Sequence, residues 1–386
     1  MTLVLFLTQS NVADYSFGGA QRANHLRNAL LSVAEVDTLI IHGGPRFLLE
    51  EQWSSGRTRG ANISAYGVSV SALRQRFALT RWIDSILSER AYDYVVAQYV
   101  DLATLVPRHA RKMMIFDPDD FLKSMPSGIK GSMLTRAKLR VRNVLAQRIA
   151  SQALHVWFAN PRLGHVPNNQ QRSFMPNVVS IPDDSRRRPA VVPQRLLMVG
   201  FFDHAPNAEG LTWFVANVWP SIFEKFPAAE LHVVGQFNGN IAAHLPSVCF
   251  RGYVEDLTLE YDRAAVVIAP IRSGGGTQIK VIDALVHGRP LVSSMFAYAG
   301  FAEDLTSGES LLTAESVSDW IVACDLLLSD RSAAEAMAAH GAREVKRSYG
   351  RDRMKREVTD TLTSLSNRRA AALEIHSRCL RRADIG

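Results

Sequence analysis

Short, almost unbroken apolar runs recur along this chain: LVLFL at 3–7, VDTLII at 36–41, YVVA at 94–97, MMIF at 113–116, LLMV at 196–199, LHVV at 231–234 and AAVVIAP at 264–270. Each has the length of a strand. Between them lie glycine-bearing turns and stretches such as AQRANHLRNALLSVA, in which Ala20, Leu26, Leu30 and Val33 recur at helical spacing. A strand that is apolar on both faces must be covered on both, and alternation with helices achieves this in a parallel sheet. The expected fold class is therefore α/β, with doubly wound, Rossmann-like domains. Prolines and charges cluster in IPDDSRRRPAVVPQ, where no apolar period survives. The series accordingly divides into a first domain over 1–185, a linker over 186–194 and a second domain over 195–348. A helical segment over 349–386 is expected to pack back toward the first domain. In the second domain the pattern predicts one helix over Ala208–Phe226.

Composition removes several functional classes. No run approaches the ~20 apolar residues of a membrane span, and Met1–Ser10 lacks the basic and small-residue signature of a signal peptide, so a cytoplasmic location is expected. The three cysteines, Cys249, Cys324 and Cys379, are widely spaced and match neither CxxC nor metal-ligand spacing; reduced thiols and no metal site follow. A net charge of +7 favours an acidic partner. No zinc-finger, RRM or KH signature accompanies the basic residues, which argues against nucleic acid.

The stretch IRSGGGTQIKVIDALVHGRPLVSS carries the most chemistry. Three glycines follow an apolar strand and precede a helix expected over Thr277–His287, which Gly288 and Pro290 would end. Bare backbone at Gly274, Gly275 and Gly276 can approach a ligand closely, and N–H groups at a helix start favour an anion. Lys280 would add charge from the first turn. Asp283, three residues on, shares its face, which suits a phosphate-binding cation beside a carboxylate that accepts ribose hydroxyls. The alternative is a glycine turn with a solvated Lys280–Asp283 pair. The spacing is neither GxxxxGK[ST] nor GxGxxG, against a P-loop NTPase or a dinucleotide-binding dehydrogenase.

GGGTQIKVIDALVHGRPLVSS resembles the signature of family 4 glycosyltransferases of the GT-B fold, and LLMVGFFDHAPNAEGLTWFVANVWPSIFEKFPAAELHVVG is similar to the opening of that family's nucleotide domain, with its Pro-Asn and Trp-Pro pairs. RGYVEDLTLEYDRAAVVIAPI matches the segment between, and FGGAQRANHLRNAL the N-terminal glycine loop and helix. The resemblance implies a retaining transfer from a UDP- or GDP-sugar, with no cofactor required beyond that donor, to a hydroxyl of a glycan or lipid-linked acceptor in surface polysaccharide synthesis. It implies that Lys280 holds the pyrophosphate with the backbone of Gly275, Gly276 and Thr277, and that Asp283 stands for the ribose-binding glutamate. Gly18 and Gly19 would approach the diphosphate from the first domain, and the backbone of Tyr253 and Val254 would meet the base. Two departures stand out: Gly275 occupies the place of the pattern's first glutamate, and Phe201, Phe202 and Asp203 replace the usual Arg and Lys.

In IFDPDDFLKSM, Asp117, Asp119 and Asp120 follow a strand; the resemblance points to Asp119 as a catalytic contact to acceptor or donor sugar, and a helix-capping loop is the plainer alternative. His42 and His109 are weaker candidates. From Lys130 to Arg148, Arg136, Lys138, Arg140 and Arg142 interleave with Met133, Leu134, Leu139, Val141 and Leu145, a pattern that suits either an anionic membrane surface or a solvated helix. A sugar-nucleotide epimerase of the same fold and a catalytically degenerate binding partner remain open at this point.

Overall fold

The computed structural model describes residues 1–9, 18–43, 58–63, 70–118, 133–159, 171–182, 190–236, 247–274 and 277–383. The first half runs β1 (Leu3–Thr8), α1 (Gly18–Leu31), β2 (Glu35–Gly43), β3 (Thr58–Ile63), α2 (Val70–Glu89), β4 (Tyr94–Gln98), α3 (Val100–Ala103), β5 (Met114–Asp117), α4 (Met133–Ala150), β6 (His155–Phe158) and β7 (Arg172–Phe174). Its strands form one parallel sheet in the order β3-β2-β1-β4-β5-β6-β7. Leu79, Ile83 and Ile86 of α2 join Ala146 and Ile149 of α4 over one face, while Leu26 and Leu30 of α1 cover the other. Runs that are apolar on both sides are thus buried on both sides, as the sequence requires.

The second half runs β8 (Arg195–Val199), α5 (Ala205–Asn217), α6 (Trp219–Lys225), β9 (Glu230–Val234), β10 (Val248–Gly252), α7 (Thr258–Arg263), β11 (Val266–Ala269), α8 (Ile279–Val286), β12 (Leu291–Ser294), α9 (Met295–Tyr298), β13 (Leu312–Ala314), α10 (Val317–Ser329), α11 (Arg331–Tyr349) and α12 (Arg351–Ala383). The parallel sheet order is β10-β9-β8-β11-β12-β13. The helix expected over Ala208–Phe226 is two helices, because Pro220 lacks the N–H and the clearance needed inside one and sits instead in the first turn of α6.

Each sheet reverses its strand order once, between β1 and β4 in the first and between β8 and β11 in the second. Ligands of open α/β sheets bind at the carboxyl ends of the strands flanking such a reversal. The chain then crosses back. Val179 N–H donates to the Tyr349 carbonyl at 3.0 Å, and Met354, Val358, Leu362 and Leu365 of α12 join the core of the first sheet with Val4, Phe6 and Trp157. Trp157 Nε1 donates to Thr361 Oγ1 at 3.1 Å in that core.

Candidate functional site

The loops leaving β8 and β11 meet where the second sheet reverses. After β8 the chain passes through Gly200 and His204 into α5; after β11 it passes through the glycine loop into α8. Gly210 of α5 lies so close to this loop that a Cβ there would come within 2.5 Å of the Pro270 carbonyl oxygen. Gly274 has φ of +110° and its missing Cβ would meet Pro206 at 2.9 Å, so a side chain is excluded both by the backbone and by its neighbour. Ser273 Oγ donates to Glu209 at 3.2 Å, and the Arg272 guanidinium lies 4.4 Å from the Trp213 ring centroid. Pro270, Arg272, Ser273 and Gly274 thereby all lie against α5.

Lys280 is the second residue of α8, whose start falls at Ile279 rather than Thr277. Its Nζ donates to Asn207 Oδ1 at 2.7 Å and to Gln278 Oε1 at 3.3 Å. Among the described contacts it makes no ion pair with Asp283, so the solvated-pair alternative does not describe this lysine. Part of the side chain reaches solvent, yet the protein packed around the ammonium pushes its pKa down to about 8, against the pull of Asp283. Burial likewise pushes the Asp283 carboxyl up to about 7, opposed by Lys280. Behind Asp283 lies Tyr261, fully buried, its ring stacked on His287 at 4.5 Å. His204, the N-cap of α5, is pushed below its usual range by burial and then by Lys280. A cation is thus held between the N-termini of two helices, each of which carries partial positive charge itself. Such a place is prepared for an anion.

The remaining expected residues are distributed as follows. Tyr253 is 62% exposed immediately after β10, and Val254 is half-buried beside it. Gly18 and Gly19 open α1 at the reversal of the first sheet. Thr277 Oγ1 donates to the Ala159 carbonyl at 3.1 Å, joining the glycine loop to the end of β6 in the first sheet. Asp119, Asp120, Gly275 and Gly276 lie outside the described residues, as do Lys130 and Arg186–Arg188. Asp117 is structural: buried at the end of β5, it is bound by Arg22 through Nε at 2.9 Å and through a second nitrogen at 2.8 Å. His109 is a surface residue 3.4 Å from Asp84. No group of three or more His, Cys, Asp or Glu among the described residues could hold a metal ion.

Asn207, Glu209 and Arg272 were not singled out as site residues from sequence. Only Asn207 had a signal, the Pro-Asn pair that carries part of the family resemblance.

Residues 193–330 match the family model described as Glycosyl transferases group 1. No curated protein matches the chain. Solved structures share the fold across nearly its whole length. Sucrose-phosphate synthase from Thermosynechococcus elongatus superposes with a TM-score of 0.73 at 16% identity, over 95% of this chain and 100% of its own. The Anabaena protein HepE, solved with UDP and glucose, gives 0.64 at 12% identity over 94% and 99%. WaaG, a glycosyltransferase involved in lipopolysaccharide biosynthesis, gives 0.64 at 12% over 91% and 98%. The fold is the two-domain GT-B architecture, and together with the domain match it supports a glycosyltransferase.

Proposed function

We propose that this chain is a retaining glycosyltransferase of family 4 that transfers a sugar from a UDP- or GDP-sugar to a hydroxyl of a glycan or lipid-linked acceptor in surface polysaccharide synthesis. The observation that carries this reading is Lys280, a desolvated cation held at the meeting of two helix N-termini in the sheet's crevice. Departure of a nucleoside diphosphate builds negative charge on its oxygens, and preorganised positive charge stabilises the transition state in which it builds. Lys280 and the positive dipole ends of α5 and α8 supply that charge without rearrangement. The Gly275–Thr277 backbone and Gly18–Gly19 flank the diphosphate from opposite domains, Asp283 accepts ribose hydroxyls, and Tyr253 with Val254 borders the base. Asp119 contacts the acceptor or the sugar. The scheme draws its charge stabilisation from the protein and needs no cofactor beyond the donor.

The acceptor side is read as lying at an anionic membrane surface. Among the described residues no helix is long and apolar enough to cross a membrane. On α2, however, Leu73 and Phe77 are exposed, as are Val141, Val144 and Leu145 on α4. Arg76 and Arg142 of these helices both bind α3 and its C-cap, through Thr104 and Asp101. Apolar side chains among arginines suit an anionic bilayer. Flotation with anionic liposomes tests this part alone; absence of binding at low salt removes it.

The donor reading is tested by thermal unfolding with UDP, GDP, ADP and their sugars beside Lys280→Ala. A ligand at ~100 times its Kd stabilises the folded state by ~2.7 kcal/mol. One nucleoside diphosphate should raise the midpoint by several degrees, and Lys280→Ala should abolish the rise. If none raises it at millimolar concentration, the reading is wrong.

A further inference from the structure

We infer that Asn207 is a positioning residue of the donor site, holding the Lys280 ammonium where the departing diphosphate needs it while leaving its charge intact. The inference rests on the assignment of Lys280 to the diphosphate and adds to it a residue 73 positions away in sequence.

Asn207 is 7% exposed and has one orientation that satisfies both of its contacts. Lysine can only donate and a carbonyl can only accept, so the amide must turn Oδ1 to Lys280, at 2.7 Å, and Nδ2 to the Phe201 carbonyl, at 2.8 Å. The second bond fixes the amide to the loop after β8. The first then fixes the far end of a flexible four-carbon stem. The helix start at Ala205 with Pro206 behind it sets where the amide stands.

The amide is neutral, and that is its use. A carboxylate at this place would pair with the ammonium but neutralise it, compete with the phosphates and lose the anchoring bond to the Phe201 carbonyl, since it cannot donate. This matters more because Phe201, Phe202 and Asp203 stand where the resemblance leads one to expect Arg and Lys. Lys280 then has to be both correctly placed and fully charged.

The groups facing Lys280 set the pH behaviour. His204 at the start of α5 is neutral above its lowered pKa, and Asp283 on α8 ionises at about 7. Tyr261, facing Asp283, is raised well above its ordinary value. An alkaline loss of anion binding starting near 8 therefore belongs to Lys280. Removing the Asn207 acceptor disfavours the charged form and moves that loss to lower pH; placing a carboxylate there moves it to higher pH.

The experiment is calorimetric titration of UDP and GDP from pH 6.5 to 9.5 into wild type, Asn207→Ala and Asn207→Asp, with circular dichroism and a thermal midpoint for each. Asn207→Ala should weaken the nucleoside diphosphate by about 10-fold or more, in line with loss of a hydrogen bond to a charged group, with its alkaline limb moved down. Asn207→Asp should also bind more weakly at pH 7.5, but with its limb moved up. Opposite pH shifts at equal loss of affinity separate positioning from a general loss of structure. Wild-type affinity and an unmoved limb in both variants would overturn the inference and leave the donor assignment standing. If wild type binds neither nucleotide, the donor assignment fails and this inference fails with it. Should Asn207→Ala not fold, the isosteric Asn207→Asp decides.

Discussion

Lys280 and Asp283 each carry their charge at a cost, because both are desolvated and neither cancels the other through a direct ion pair. The sign of that cost is measurable for Asp283. Its folded pKa of about 7 lies above the ordinary carboxylate value of ~3.9, so the folded state holds the proton more tightly and stability falls as pH rises between those values. Asp283→Asn, which imitates the protonated form, should gain thermal stability on wild type from pH 4 to about pH 7 and hold the gain above it. The gain is bounded at a few kcal/mol, since one pKa unit corresponds to ~1.4 kcal/mol. Affinity for the matching nucleoside diphosphate should move oppositely. In wild type it rises through about pH 7 as the carboxylate forms and falls above about 8 as Lys280 deprotonates. Asp283→Asn should lose the rise and show the fall at lower pH, because the carboxylate that holds up the Lys280 pKa is gone. A variant that matches wild type in both stability and affinity at every pH would exclude Asp283 from the site.

Among the elements, the first domain depends on one buried ion pair. The Arg22 guanidinium of α1 is 1% exposed, bonded twice to Asp117 of β5, and donates also to the Met175 carbonyl at 3.1 Å and Asn177 Oδ1 at 2.9 Å. One side chain thus joins α1 to the end of β5 and to the segment after β7. Removing the carboxylate leaves a buried charge with too few acceptors, so Asp117→Ala should cost about 3–5 kcal/mol. Urea unfolding should show this as a lowered midpoint at unchanged slope. A loss below ~1 kcal/mol would mean that water replaces the carboxylate. This pair also marks what the sequence could and could not convey. The central strands were legible because residues such as Val95, Val96 and Val267 must be covered on both faces, and the glycine loop because nothing larger fits beside Pro206. β3, with TRGANI, was not, since an edge strand need not be apolar. Nor were the partnerships Arg22–Asp117 and Asn207–Lys280, which join residues 95 and 73 positions apart through folding alone. Asp117 therefore read only as one of three acids near a strand end, and its buried partner Arg22 became visible in the structure alone.

At the scale of the whole molecule, the chain closes on itself: it leaves the first domain, builds the second, and returns through α12. Tyr94 meets Ser366 at 3.1 Å and Arg369 meets Asp93 at 3.0 Å along that return. The crossing at Val179–Tyr349 and Ser180–Arg351 is one connection between the halves. Thr277 with Ala159 is another, and it lies at the donor loop itself. A donor held between two domains is protected from hydrolysis when the cleft excludes water, so a bond from the donor loop to the opposite domain favours the closed arrangement. One hydrogen bond is worth ~1 kcal/mol net, which shifts an open–closed equilibrium by about fivefold. Thr277→Val keeps the shape and the backbone N–H but removes the donor hydroxyl. Its nucleotide affinity should therefore stay within about threefold of wild type, its kcat should fall by about fivefold, and small-angle scattering without ligand should show a larger radius of gyration. Unchanged scattering and turnover would mean that Thr277 merely caps the Ala159 carbonyl, and that closure is governed by the crossing at 179–182 and 349–351.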